Sequence, residues 1–474
     1  MTTRRAFIKQ IGLAVGAVAG PGCGDGDPGG DGSDGSDGSD GSTTSTGATT
    51  TTTADASQSA SDPTSSSDGS ADSSSSSDGG IDPDPVCDVD PPAGLPAWRE
   101  GQAVNEWREI PGSAMDLAPP TNTATALDGT GAVVGPSARL TAWCGLSIDT
   151  RNSTVWSVAN GGHGDYYGNE IVKIELLADS PAWAEFFPGS SGAVVDNVTE
   201  GTDPSHARYT DGLPCSTHSY YGQQFLERHN RALRLGGSTA PIGSAFENVE
   251  GFNVCVGRGN DGWDDAGTYG FCLGGTNGGW TPAIAWCACK YPTTEHIYVV
   301  FAPNIWEFTP ADPGPGGTWS ILGTLPNELN SGALGATAVD TQRNRLLWIK
   351  GYGPPQPYTC DLATGMWTAH VYPEGEARAA FDAVQPSAGM VYVEALDAFL
   401  VRGSAAGDRV YVVDAETFAV SILATTGGDS VPAGIPLGGG TEENVYNKWL
   451  LVPQLGGVVY FAITSTNGWF LRLW

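Results

Sequence analysis

The sequence predicts an all-β fold, a ring of four-stranded antiparallel sheets repeated along the chain. Three observations predict it. Short apolar strands recur in groups of four from about residue 98, with a period of roughly 40 to 60 residues. Glycine reaches 67 of 474 residues while only 16% of residues are charged, which argues against a coiled coil or a helix bundle. Fifteen Trp, 15 Tyr and 14 Phe can furnish a large core and exclude a wholly disordered chain.

The first copy places strands at 142–148, 154–158, 169–176 and 182–187, with a turn at 149–152. The second copy has strands at 220–226, 232–235 and 248–254. The third has them at 284–290, 296–301, 304–308 and 318–322. The fourth runs through 335–339, 345–350, 357–362 and Trp367, and the fifth through 390–394, 398–402, 409–414 and 418–423. The sixth offers three strands only, at 444–452, 457–463 and 468–473. A strand at 105–110 stands unassigned ahead of the first copy. It supplies the fourth strand of the last copy, closes the ring and leaves no sheet edge open. Six four-stranded blades closed in this way make a β-propeller.

The repeat has a recognisable form. Apolar strands end in Gly161-Gly162 and Gly236-Gly237, a further strand follows, and a Trp stands on the outer strand at Trp183, Trp319 and Trp367. This pattern resembles the Kelch repeat and the propeller of galactose-oxidase-like proteins. The resemblance covers about residues 105–474 and is clearest in the first two blades.

Ahead of the repeats lie two segments of other kinds. Residues 3–9 read T-R-R-A-F-I-K, which resembles a twin-arginine export signal with Arg4, Arg5, Phe7 and Lys9. The apolar stretch 11–19 is about half the length that a membrane span needs, so residues 1–23 read as an export signal. Cys23 just past it is the expected lipidation site. Residues 24–90 hold 15 Asp and no Lys, Arg or Glu among Ser, Thr and Gly runs. Such a segment cannot bury enough apolar surface to offset its ordering entropy and reads as a disordered linker. The propeller domain is then 91–474. The protein is expected to be exported, periplasmic or at the cell surface, and to meet a membrane only through a lipid on Cys23.

The formal net charge is −31. A chain this acidic repels phosphates, so nucleic acid is not an expected partner. The chain carries nine Cys, and eight remain if Cys23 is lipidated. In an oxidising compartment an even set implies disulfides, with Cys255–Cys272 as the first expected pair. Cys287-Ala-Cys289 in a strand points both thiols to one face. No metal site and no cofactor are expected. No paired C-x-x-C, G-x-S-x-G, H-E-x-x-H or P-loop occurs, and Asp261, Asp264 and Asp265 lack the spacing of a calcium loop.

Propeller geometry puts the loops before the first strand and between the second and third strands of each blade on one face, around the channel mouth. Fold analogy makes that face the expected ligand site. The residues 161–170, rich in Gly, bring His163, Asp165, Tyr166 and Tyr167 there, and the segment 216–221 brings His218, Tyr220 and Tyr221. Arg139, Arg378 and Arg402 add positive charge, and Tyr352 and Glu442 complete the set. The first reading is a propeller that binds carbohydrate or an extracellular protein as a monomer. The alternative is a polysaccharide lyase or hydrolase for an acidic glycan. In it His163, His218, Tyr220 and Tyr221 exchange protons, and Arg378 neutralises a carboxylate. In Kelch repeats the same residue types at these positions also tie neighbouring blades together without chemistry.

Overall fold

Six turns share one backbone feature. Ser153, Asn230, Glu295, Asn344, Asp397 and Gly456 all have positive φ, between 48° and 69°. Each stands one or two residues ahead of the second strand of a sheet. A left-handed residue at the end of a short turn lets the second strand return in register on the first. Asn, Asp and Gly take that conformation most readily, and they occupy four of the six positions.

The computed structural model describes residues 94–122, 135–141, 143–162, 166–192, 208–239, 245–255, 262–270, 287–301, 303–312, 314–326, 335–350, 356–382, 388–403, 408–432 and 445–474. The expected signal, Cys23 and the linker lie outside them. The strands are β1 (Trp107–Glu109), β2 (Ser147–Asp149), β3 (Thr154–Val158), β4 (Ile171–Glu175), β5 (Trp183–Phe187), β6 (Thr217–His218), β7 (Gln223–Leu226) and β8 (Arg231–Thr239). Next come β9 (Ala245–Asn253), β10 (Cys287–Lys290), β11 (Ile297–Phe301), β12 (Asn304–Pro310), β13 (Gly317–Thr324), β14 (Gly335–Asp340), β15 (Arg345–Lys350) and β16 (Pro357–Asp361). The last are β17 (Trp367–Ala369), β18 (Gly389–Val393), β19 (Ala398–Arg402), β20 (Tyr411–Asp414), β21 (Val420–Ile422), β22 (Trp449–Val452), β23 (Gly457–Tyr460) and β24 (Trp469–Arg472).

They form six antiparallel sheets, the blades of a β-propeller. In chain order these are β2-β3-β4-β5, then β7-β8-β9 with β6, then β10-β11-β12-β13, β14-β15-β16-β17, β18-β19-β20-β21 and β22-β23-β24-β1. In the second sheet Trp263 bridges Phe252 at the outer position. The innermost strands of neighbouring sheets lie side by side, as β10, β14, β18 and β22 do.

Every sheet packs through both faces. Six apolar clusters sit between neighbouring sheets, one at each junction. Inner strands are therefore buried on both sides, as in β14, whereas every residue of the outer β13 is part-buried or exposed. Polar groups fasten the turns beneath. Thr150 Oγ1 donates to Glu227 (2.9 Å), Arg151 Nη2 donates to Asn230 (2.6 Å), and Arg343 holds Asp397 through two bonds of 2.7 Å. His229 lies in such a turn, against Glu295 at 2.8 Å.

Two expectations need correction. The strand expected to end at Gly236-Gly237 runs on to Thr239. Gly236 (φ 57°) and Gly237 (φ 111°) absorb a register shift there, and the extension pairs with β6. The expected disulfides are present only in part: Cys255 is disulfide-bonded, whereas five other cysteines are not. Cys144, Cys215, Cys287, Cys289 and Cys360 are buried thiols. Cys287 and Cys289 do share a face, but it is the face packed on the next sheet, with Cys287 Sγ donating to Gly335 O at 2.7 Å. Burial pushes the thiols of Cys215, Cys287, Cys289 and Cys360 up to about 12, so they are poor candidates for oxidation. Cys272, the expected partner of the disulfide-bonded Cys255, lies outside the described residues.

The segment expected at 105–110 contains β1, which pairs antiparallel with β24, Trp107 opposite Leu471 and Glu109 opposite Trp469. Trp107 is 2% exposed and sits in the core between the fifth and sixth sheets. Ring closure through this strand is testable by truncation. A chain lacking residues 1–100 should melt as a cooperative unit, and one lacking 1–112 should lose several kcal/mol of a net stability of about 5–15 kcal/mol, or aggregate. Equal melting temperatures for the two would exclude the closing role.

Candidate functional site at the channel mouth

Three aromatic residues with left-handed backbone stand just ahead of innermost strands in three successive blades. They are Tyr446 (φ 42°) before β22, Trp143 (φ 42°) before β2 and Tyr220 (φ 48°) before β7. A bulky residue there costs about 1–2 kcal/mol and persists only where its surroundings over-determine it. The main chain does so here. Tyr220 N–H donates to Trp143 O (2.8 Å) and Leu146 N–H to Asn447 O (3.4 Å). Gly145 is required at this crossing, because a Cβ on it would lie 2.0 Å from Tyr220 O.

The rings form a continuous chain across the mouth. Centroids are 4.9 Å apart for Trp143 and His218, 6.2 Å for His218 and Tyr220, 5.4 Å for Tyr220 and Tyr446, and 5.2 Å for Tyr446 and Tyr221. Tyr221 extends from the second blade and donates its hydroxyl to Ala388 O (2.6 Å), just before β18 of the fifth. In a ring of six these blades face each other across the axis. Asn447 of the sixth blade donates to Tyr221 O (2.7 Å) and Gln223 O (3.0 Å). Tyr221 and Asn447 together are a strut across the channel.

The expectation that these side chains stand open at the mouth is therefore corrected. His218, Tyr220 and Tyr221 are at most 4% exposed, and Tyr166 and Tyr167 at most 3%. Glycine is the reason. A Cβ on Gly162 (φ 84°) would lie 2.3 Å from His218 Cδ2, so Gly161-Gly162 lets the main chain lie directly on the imidazole. Burial pushes the Tyr221 and Tyr166 phenols well above their ordinary range. Trp143 is the part-exposed member of the chain.

Arg139 is buried in a one-turn helix, Ala138–Thr141, and its guanidinium donates to Pro136 O (2.9 Å) and Ala118 O (3.2 Å). Its Nε lies 3.5 Å from Glu170 Oε1. Tyr166 donates its hydroxyl to the same carboxylate at 3.0 Å. Burial raises the Glu170 carboxyl to about 7, against the pull of Arg139. This trio holds a proton near neutrality, but no member is more than 3% exposed, so it fastens loops and does not reach a ligand from its present position.

The other expected arginines are also engaged. Arg402 is fully buried, with its guanidinium 4.2 Å from the Tyr460 ring and 5.5 Å from Trp107, and it donates to Pro432 O at 3.0 Å. Arg378, on the helix Glu376–Phe381, meets Asp382 at 2.5 Å and Tyr372 O at 3.2 Å. His163, Asp165, Tyr352 and Glu442 lie outside the described residues. Sequence reasoning missed Trp143, Tyr446 and Lys448. Lys448 Nζ donates to Leu140 O and Ala462 O at 3.2 and 3.1 Å, and burial lowers it to about 7. An aromatic or basic residue one to four positions before an inner strand was the available signal. Among the described residues, no group of three or more His, Cys, Asp or Glu could hold a metal ion.

Compared with known proteins, the chain matches no family model and no curated protein. Solved structures similar to it include a putative 6-phosphogluconolactonase from Bacteroides uniformis, at 10% identity and TM-score 0.39, covering 70% of this chain and 79% of that one. A protein of unknown function from Bacteroides thetaiotaomicron shares 14% identity at TM-score 0.40, covering 74% and 75%. The Dos1 propeller shares 7% identity at TM-score 0.35, covering 76% and 97%. Likeness this distant carries no argument about activity.

Two outcomes follow from the buried groups. A carboxyl raised in the folded state adds stability that is full below about 4.5 and is lost as pH rises through about 7. Glu170→Gln should remove that slope, a difference from the parent of roughly 3 kcal/mol across the window, read as melting temperature against pH. Tyr221→Phe should cost about 1–3 kcal/mol, because Ala388 O is left without its donor in a dry site. Unchanged chemical denaturation would exclude the strut.

Proposed function

We propose that the protein is an exported propeller, tethered at the cell surface, that binds carbohydrate or an extracellular protein at its channel mouth without turning it over. One observation carries the reading. Of the side chains expected to exchange protons or neutralise a carboxylate, those among the described residues, His218, Tyr220, Tyr221 and Arg378, are spent on contacts within the fold, while Trp143 is part-exposed. A general acid or base must come within hydrogen-bond reach of the reacting proton, and the burial of His218, Tyr220 and Tyr221 speaks against that role for them. Export and tethering rest on Arg4–Arg5, the apolar stretch 11–19, Cys23 and the Asp-rich linker 24–90. A long charged linker of that kind holds a domain off a membrane.

The test is a glycan array, paired with a display of extracellular proteins, read for retention of the protein and for release of product. Retention on one of them with no new saccharide ends supports the reading. Appearance of unsaturated or newly reducing ends from an acidic glycan would replace binding with the lyase or hydrolase alternative.

A further inference from the structure

Trp143 differs from every other member of the aromatic chain at the mouth. It is part-exposed where His218, Tyr220, Tyr221 and Tyr446 are buried. Its backbone is held left-handed at φ 42° through the bond from Tyr220 N–H. Its indole is backed by the His218 imidazole at 4.9 Å and 51°. Strain of this kind collects where a side chain must be presented in one orientation. Two residues on, the main chain crosses Tyr220 so closely that a Cβ on Gly145 would lie 2.0 Å from Tyr220 O.

We propose that Trp143 is a stacking platform for one ring of a neutral carbohydrate, which deepens the binding reading above and rests on it. An indole face carries negative π density and attracts the polarised C–H groups on the apolar face of a sugar, while the sugar hydroxyls stay in water at its edge. The size of the feature favours a sugar over a protein. A stable protein interface buries about 1,200 Å² or more around several aromatic or Arg anchors. The described mouth offers one part-exposed ring with its aromatic neighbours sealed beneath it. The charge favours a neutral sugar. The chain carries −31 overall, and Arg139, Arg378 and Arg402, which would meet a carboxylate, are taken by Glu170, Asp382 and the Tyr460 and Trp107 rings.

The experiment uses the exported protein with cellohexaose, mannohexaose and hexagalacturonic acid as probes in isothermal titration. One of the two neutral hexasaccharides should bind and the acidic one should not. Trp143→Ala should weaken that binding about tenfold or more, and Trp143→Phe by no more than about threefold, since a phenyl ring keeps part of the stacking face. In 5-fluorotryptophan-labelled protein, the 19F signal missing from Trp143→Phe should shift when the neutral sugar is added. That measurement stands even if Trp143→Ala fails to fold. Undiminished binding by Trp143→Ala, or a 19F signal that stays still while the sugar binds, overturns the platform and leaves the binding reading intact. Failure of both neutral sugars, or tighter binding of the acidic one, overturns the neutral-carbohydrate assignment. Retention by the protein display then decides the binding reading separately.

Discussion

A sheet that is apolar on both faces has no stable position at the end of a stack. Each sheet in this protein is of that kind, with one core cluster on either side of it. Burial of apolar area is worth about 25 cal/mol per Å², so a missing neighbour would expose a whole face. A closed ring is the arrangement that gives every sheet two neighbours. The left-handed residue at six first turns serves it, because it keeps each inner hairpin short and in register. The pairing of β1 with β24 serves it too, since the sixth sheet otherwise stops at three strands.

Closing a ring brings six inner strands around one axis, and the loops that enter them converge. In this protein that convergence is filled. Tyr221 reaches across to Ala388, Asn447 reaches across to Tyr221 and Gln223, and Tyr220 packs edge-on against Tyr446. The mouth becomes a floor of buried aromatic rings held by main-chain bonds. The titratable groups around that floor are desolvated. Glu170 and Lys448 show the direction of that effect, one raised and one lowered to about 7 by burial.

The blades were legible because their signals are local. Strand alternation, turn residues such as Asp149 and Asn152, and the outer Trp183, Trp319 and Trp367 recur at a spacing that a reader can count. The extension of β8 past Gly236-Gly237 was not legible, since the same two glycines that end a strand also permit a bulge within one. The cysteines were legible only in part, since Cys255 is disulfide-bonded and five others are not. An even number of cysteines in an exported chain suggests pairing, but on a strand of a propeller Cys287, Cys289 and Cys360 are small apolar residues that fill the space between two sheets.

The sequence by itself determined the class of fold, the number of blades and the face on which the loops gather, because each follows from periodicity along the chain. It also brought His218, Tyr220, Tyr221 and Arg139 to that face. Only the tertiary structure decided that they lie beneath it, and that Trp143 stands partly above. Exposure depends on what the neighbouring blades bring to the same point: a glycine pair over His218, a carbonyl of the fifth blade on Tyr221, a carboxylate beside Arg139. Those contacts join residues far apart in the chain, and no spacing within one repeat records them.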